Sequence, residues 1–381
     1  MTSLLGACLL SAAGSLPLHL LPLLVTALVA EQRAPIALAG WIGSAYMLGQ
    51  LLVALILPLL RLATLRRRHA VAAVALPVVC LGVAAHGEFT VLLLCWLLTG
   101  AGCGALLYLG TTVAAQHKER IFALSLRLAI TLFLAGIVIG GLQLVEALSS
   151  YFGLMTGLAV VFFAIAFIGL ALYRSSIPSL EQQQRTAIPS RHSRWSGLII
   201  IFLLFTGQLG FWAYAVQSSG DRGIGTDEAI WALAICKVFA AFALLPMAYR
   251  DQSTRSRNQL LWPGVVLALG ILLMSTANTP AVFLLGVLSW EVGLNVLSVR
   301  IQAKAVEASP DHAGMWLTGA ILLGAAAGPM LHGAAIGAGI GALFAAFSVA
   351  SALIPAIWER SVFAATPIGH SGNGTRPKGN R

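Results

Sequence analysis

Twelve apolar runs of 17 to 27 residues divide this 381-residue chain, at 4–29, 37–60, 70–86, 90–114, 121–147, 151–173, 196–217, 229–248, 259–277, 281–299, 314–333 and 335–358. An α-helix of about 20 apolar residues covers the ~30 Å hydrocarbon core of a bilayer. Backbone in lipid must satisfy its hydrogen bonds internally, which restricts a spanning segment to a helix or a closed barrel. Barrel strands alternate in polarity over about ten residues, and these runs do not alternate, so they are read as helices. Only 9% of the residues are charged while 59% are hydrophobic, too few charges to coat a soluble domain. The expected fold class is an all-α membrane protein with twelve transmembrane helices.

The net charge of +10 raises the question of nucleic acid, and the placement of the charges answers it. Nineteen of the 23 basic residues fall in the even-to-odd connections and the C-terminal tail, and two, Arg33 and Arg222, fall in the odd-to-even connections. The remaining pair, Arg127 and Lys237, lie inside apolar runs. That asymmetry is the positive-inside pattern, with both termini cytoplasmic. The lipid bilayer, not nucleic acid, is the partner it implies, and a bacterial inner membrane is the expected location. The five cysteines all sit in apolar runs without zinc-ligand spacing, so no metal or other cofactor is expected.

An internal repeat gives the domain organisation. Leu57-Pro58 with its neighbouring arginines recurs 188 residues on as Leu245-Pro246 with Arg250, Arg255 and Arg257. Gly136 and Gly140 recur at the same offset as Gly324 and Gly328, followed by Pro329. Small residues at this spacing let helices approach closely, so these positions are assigned to helix packing. The chain is read as a six-helix half over 1–173, a cytoplasmic linker over 174–195, a second six-helix half over 196–358 and a disordered tail over 359–381. An axis along the membrane normal relates the halves.

Few polar groups enter the apolar runs, and these are the candidate site. Glu291, Asn295, Ser298 and Gln302 share one face of the tenth run at i, i+4, i+7 and i+11. Lys237 lies inside the eighth. Ser11, Ser15 and His19 share a face of the first, beside Pro17 and Pro22. Gln208, Trp212 and Tyr214 cluster in the seventh. At 1.5 Å per residue, Glu291, Lys237 and His19 lie about 15, 12 and 14 Å below one boundary, near the midplane. Intramembrane charges mark transport pathways, which makes Glu291 and His19 proton-coupling candidates. Lys237, Asn295, Ser298, Gln208, Trp212, Tyr214 and Ser15 are candidates for lining a substrate cavity. A second reading makes Lys237 and Glu291 a static ion pair between two helices. Arg127, two turns inside the fifth run, is placed to snorkel to the cytoplasmic interface.

Twelve helices in two halves with a central cytoplasmic loop resemble the major facilitator superfamily. RLATLRRRH matches the basic part of that family's loop 2–3 motif, without its Gly and Asp. The run Trp96 to Gly104 keeps the glycines of the helix 4 exporter motif at 100, 102 and 104, with Trp96 in the place of its Arg. GAAAGPMLHG is similar to the antiporter motif at Gly324, Gly328, Pro329 and Gly333, in helix 11 rather than helix 5. The resemblance implies a central cavity lined by helices 1, 4, 7 and 10, a cytoplasmic gate at Arg66, Arg67 and Arg68, and a monomer working by alternating access. No nucleotide-binding motif is present. The function read from these features is proton-coupled secondary transport of a small organic solute, amphipathic and anionic or zwitterionic, with export favoured over uptake. Proton-symport uptake, and a sensor or scaffold that keeps the fold without transport, are the alternatives. No nucleophile–base constellation points to an enzyme.

Overall fold

A computed structural model describes residues 2–59, 67–115, 117, 119–145, 150–173, 191–249, 259–308 and 313–365. Among them the chain is helical with no strands. In order the helices are α1 (Thr2–His19), α2 (Leu21–Ala30), α3 (Ile36–Ala39), α4 (Trp41–Leu59), α5 (Arg67–Ala84), α6 (Phe89–Ala115), α7 (Arg120–Gln143) and α8 (Tyr151–Leu172). The second half follows as α9 (Arg191–Ala213), α10 (Ala215–Gly220), α11 (Thr226–Tyr249), α12 (Leu261–Thr276), α13 (Pro280–Ala308), α14 (Ala313–Gly337) and α15 (Gly341–Ala365). Nine spans among the described residues are long and apolar enough to cross a membrane, and three shorter apolar helices complete the twelve. Most of the stretch read as a linker, 174–190, and the end of the tail, 366–381, lie outside the described residues. Arg66 also lies outside them, while Arg68 is exposed at the start of α5, next to Arg67.

Local chemistry sets where the helices break. The first span is interrupted at Leu20, between α1 and α2, because Pro22 has no N–H to donate back along the helix. The seventh is interrupted at Tyr214. The twelfth begins at Gly341, later than position 335 where its apolar run starts. Helix α14 extends to Gly337, and Gly339 turns the chain with φ +74°, a conformation glycine adopts without strain.

Each half packs in the same way. In the first, α1 lies against α6, α7 and α8, α6 also holds α4 and α5, and α5 meets α8. In the second, α9 lies against α14 and α15, α13 holds α11 and α12, and α12 meets α15. Thr2, Phe89 and Tyr151 start elements whose counterparts start at Arg191, Pro280 and Gly341, offsets of 189, 191 and 190. The repeat read from the sequence therefore runs through the whole fold. Among the long helices one pairing differs: α1 packs along α6, whereas α9 and α13 make no comparably extended backbone contact among the described residues.

Two long seams join the halves, α7 against α11 and α4 against α14. The end of the bundle where α1 begins is termed proximal, and the end at Ala30 distal. At the distal end α2 packs on α9 and α10, and α3 on α14. At the proximal end α6 and α13 show no extended packing on each other among the described residues. The bundle is thus closed across its halves at the distal end.

Glycines allow these approaches. A Cβ on Gly136 would come within 2.7 Å of the Ala234 carbonyl of α11, and one on Gly140 would meet Trp231 at 3.3 Å. In α14, a Cβ on Gly324 or Gly328 would collide with the carbonyl of Phe202 or Thr206 in α9. The two glycine pairs, matched in sequence, face partners that are not equivalent: α7 uses its glycines across the halves and α14 within one.

Candidate functional site

Three charged or titratable side chains meet near mid-depth. Lys237 of α11 forms an ion pair with Oε1 of Glu291 from α13, and each side chain is 1% exposed. The same Nζ lies 3.1 Å from Nδ1 of His19 at the end of α1. A lysine ammonium only donates, so His19 Nδ1 is the acceptor and carries no proton in this contact. His19 belongs to the first half, Lys237 and Glu291 to the second. One ammonium therefore ties the two halves together.

Neighbouring groups fix this cluster. The Trp212 ring of α9 lies 4.2 Å from Lys237 Nζ, a cation–π contact. Trp212 stacks on Trp290 with centroids 4.6 Å apart and planes 9° apart. This stack bridges α9 and α13. Asn295 donates from Nδ2 to the Glu291 carbonyl at 2.7 Å and to its Oε2 at 3.1 Å. Both carboxylate oxygens of Glu291 are thus engaged. Ser298 is half-buried one turn further along the same face.

The other expected cavity residues have internal partners. Gln208 is fully buried: its Nε2 donates to the Ser348 carbonyl at 2.9 Å and to Ser351 Oγ at 3.1 Å, and its Oε1 accepts from Trp290 Nε1 at 3.1 Å. Ser15 donates to the Ser11 carbonyl at 2.9 Å, inside α1. Tyr214 lies at the distal end. Its hydroxyl accepts from Gly40 N–H at 2.8 Å and donates to the Ile36 carbonyl at 3.0 Å. Gly333 and Gly40 leave the space for it, since a Cβ on either would strike the hydroxyl. A second distal contact crosses the halves, Gln143 Nε2 donating to Asp227 at 2.6 Å.

Sequence reasoning missed Trp290, which shares a helix with Glu291 and orients both Trp212 and Gln208. Its adjacency to Glu291 was the available signal. Arg127 also departs from expectation. Its side chain does not run out to the proximal interface but crosses to α1, where Nη1 donates to Ser11 Oγ at 2.9 Å. No group of three or more His, Cys, Asp or Glu among the described residues could hold a metal ion.

A cavity of about 530 Å³ lies apart from this cluster, at the distal end, lined mainly by the second half together with Ile36 of the first. Phe211, Ser218, Arg222, Ser275, His332 and Val349 are among its lining residues, and none of the charged trio is. His332 donates from Nδ1 to the Gly210 carbonyl at 2.8 Å and stacks on Phe344 at 4.4 Å, which places it in the packing between α14, α9 and α15.

No family model matches the sequence, and no curated protein sequence matches it. Solved structures do. The human organic anion transporter MFSD10 (TETRAN) superposes with a TM-score of 0.65 at 18% identity, over 94% of this chain and 98% of that one. The nucleoside transporter NupG superposes with a TM-score of 0.72 at 15% identity, over 94% of this chain and 100% of that one. The E. coli fucose:proton symporter FucP gives a TM-score of 0.62 at 16% identity, over 94% of this chain and 98% of that one. With twelve helices, the repeated packing of two six-helix halves and these superpositions, the chain has the major facilitator fold.

Proposed function

We propose that this chain is a proton-coupled secondary transporter of a small organic solute, anionic or zwitterionic, working by rocking of its two halves in a bacterial inner membrane. The observation that carries this reading is the contact of Lys237 with Glu291 on one side and His19 on the other, at mid-depth and across the halves. Buried ionisable groups at such a depth belong to ion and substrate pathways. A proton added to Glu291 removes the charge that holds Lys237. A proton added to His19 Nδ1 removes the acceptor and sets two cations side by side. Either event weakens the link between the halves, so proton binding and the rocking equilibrium share a free energy. The solved neighbours are named as an organic anion transporter, a nucleoside transporter and a fucose:proton symporter, which is compatible with a small organic solute. The proximal end, with the basic connections, faces the cytoplasm in this reading, and the likeness of the GAAAGPMLHG run to the antiporter motif favours export over uptake.

The test is Glu291→Gln in proteoliposomes, with a solute found by thermal-shift screening. Accumulation driven by a pH gradient is expected to be lost, while solute exchange per folded protein, which needs no net proton movement, is retained. Wild-type accumulation in the mutant overturns Glu291 as the proton site and moves the role to His19. A wild type that binds solute without exchanging it supports instead a sensor that keeps the fold.

A further inference from the structure

Lys237 cannot serve a substrate as a free cation, because Glu291 already neutralises it. Arg127 is different. It sits seven residues into α7 from Arg120, about 10 Å along the axis. Its guanidinium turns inward to Ser11 of α1. That serine is its one hydrogen-bond partner among the described residues, and it is neutral. Arginine Nε is out of contact with solvent and has no partner. No ion pair joins Arg127 to a carboxylate among the described residues, where Lys237 pairs with Glu291 and Arg33 with Glu31.

Its surroundings place it on the inner strip of α7. On one flank Ala123 packs with Leu4, Cys8 and Ala114 of α1 and α6. On the other, Ala129 and Leu132 pack with Ala240, Ala241 and Leu244 of α11. Arg127 lies between these two seams. Ser11 shares a face of α1 with Ser15 and His19, and His19 is the residue that touches Lys237. Eight residues separate Ser11 from His19, about 12 Å along the helix. A guanidinium with no carboxylate partner among the described residues lies at one end of this face and the neutralised cluster at the other.

A cation inside a span with only a neutral partner is costly, and an anion that enters and leaves relieves the cost in the bound state alone. The planar fork of arginine, with donors unused, matches the two oxygens of a carboxylate or sulfonate. We propose that Arg127 is the docking residue for the acidic group of a small organic anion. This rests on the transporter reading above and names its substrate class.

The experiment measures binding to the purified full-length protein by thermal shift and calorimetry. The probes are benzoate, benzenesulfonate and indole-3-acetate, the amide of each acid, and chloride alone. At least one organic anion is expected to bind the wild type while its amide does not. Arg127→Gln should weaken that binding by about tenfold or more, the scale of a lost charged hydrogen-bonding partner. Arg127→Lys, which keeps the charge and removes the fork, should weaken it less. The melting midpoint of ligand-free Arg127→Gln should equal or exceed that of the wild type, because an uncompensated charge has been removed, whereas a structural arginine would lower it. Unchanged affinity in Arg127→Gln, equal binding of acids and amides, a response to chloride alone, or a wild type that no probe anion binds would each overturn the proposal. Anion binding that depends on Arg127 in a protein showing no gradient-driven transport refutes the coupling reading and leaves this one standing. Gradient-driven transport with unaltered affinity in Arg127→Gln does the reverse.

Discussion

At the scale of single residues, the structure turns two lone charges into a pair. Lys237 and Glu291 were each visible in the sequence as an isolated charge in a long apolar run, and at 1.5 Å per residue their depths agreed. Depth can be read from position in a helix, so their pairing was legible as one of two readings, beside separate roles for each. The company they keep was not. Trp290 and Gln208 are neutral, their spacing gives a face but not the neighbour across from it, and Gln208 is spent on Ser348, Ser351 and Trp290. Nor could spacing show that Arg127 bends inward, since an arginine two turns from a helix end reaches either way. Removing one member of a buried ion pair strands the other. Lys237→Met and Glu291→Gln should each cost about 3–5 kcal/mol, with the double mutant recovering most of the loss. A double-mutant cycle on thermal or denaturant unfolding checks this, and strict additivity would show that the pair contributes no coupling.

At the scale of helices, glycine position decides how close two elements come. Gly136 and Gly141 lie five residues apart on α7. A Cβ on the first would come within 2.7 Å of the Ala234 carbonyl, while a Cβ on the second meets nothing within 4 Å. Gly136→Leu should therefore destabilise the seam with α11 by about 1–3 kcal/mol through overpacking. Gly141→Leu, facing open space, should change stability by less than about 0.5 kcal/mol. Equal losses in a melting comparison of the two would remove the close approach as the reason for Gly136. The twelve helices and their repeat were legible because lipid demands long apolar runs and two copies of one packing scheme share an offset. The glycine match was a weaker guide, since Gly136 and Gly324 serve contacts of different kinds. The start of the twelfth helix was misplaced because Ala335 to Gly339 is as apolar as a helix, and only the positive φ at Gly339 shows the turn.

At the scale of the molecule, the halves meet at the distal end through few polar contacts, and Tyr214 makes two of them. Tyr214→Phe removes both at once. At about 0.5–1.5 kcal/mol each, their loss should shift the balance toward a distally open form by about five-fold or more. Spin labels at Gln32 and Asp221, both exposed on opposite halves, would report this as growth of the longer distance. An unaltered distance distribution would mean that the apolar contacts of α2 with α9 and α10 hold the seal alone. No sequence pattern announced this lock, because the partners of Tyr214 are backbone groups more than 170 residues away. The stacked indoles give the same motion a second readout. An indole's emission energy follows the electric field across its ring, and Lys237 holds a full charge 4.2 Å from that of Trp212. When His19 withdraws with the other half or a proton arrives, the ammonium loses a partner and shifts relative to the ring. The protein thus carries its own optical gauge, and the difference between the emission spectra of the wild type and Trp212→Phe reports, without any label, which way the ammonium has turned.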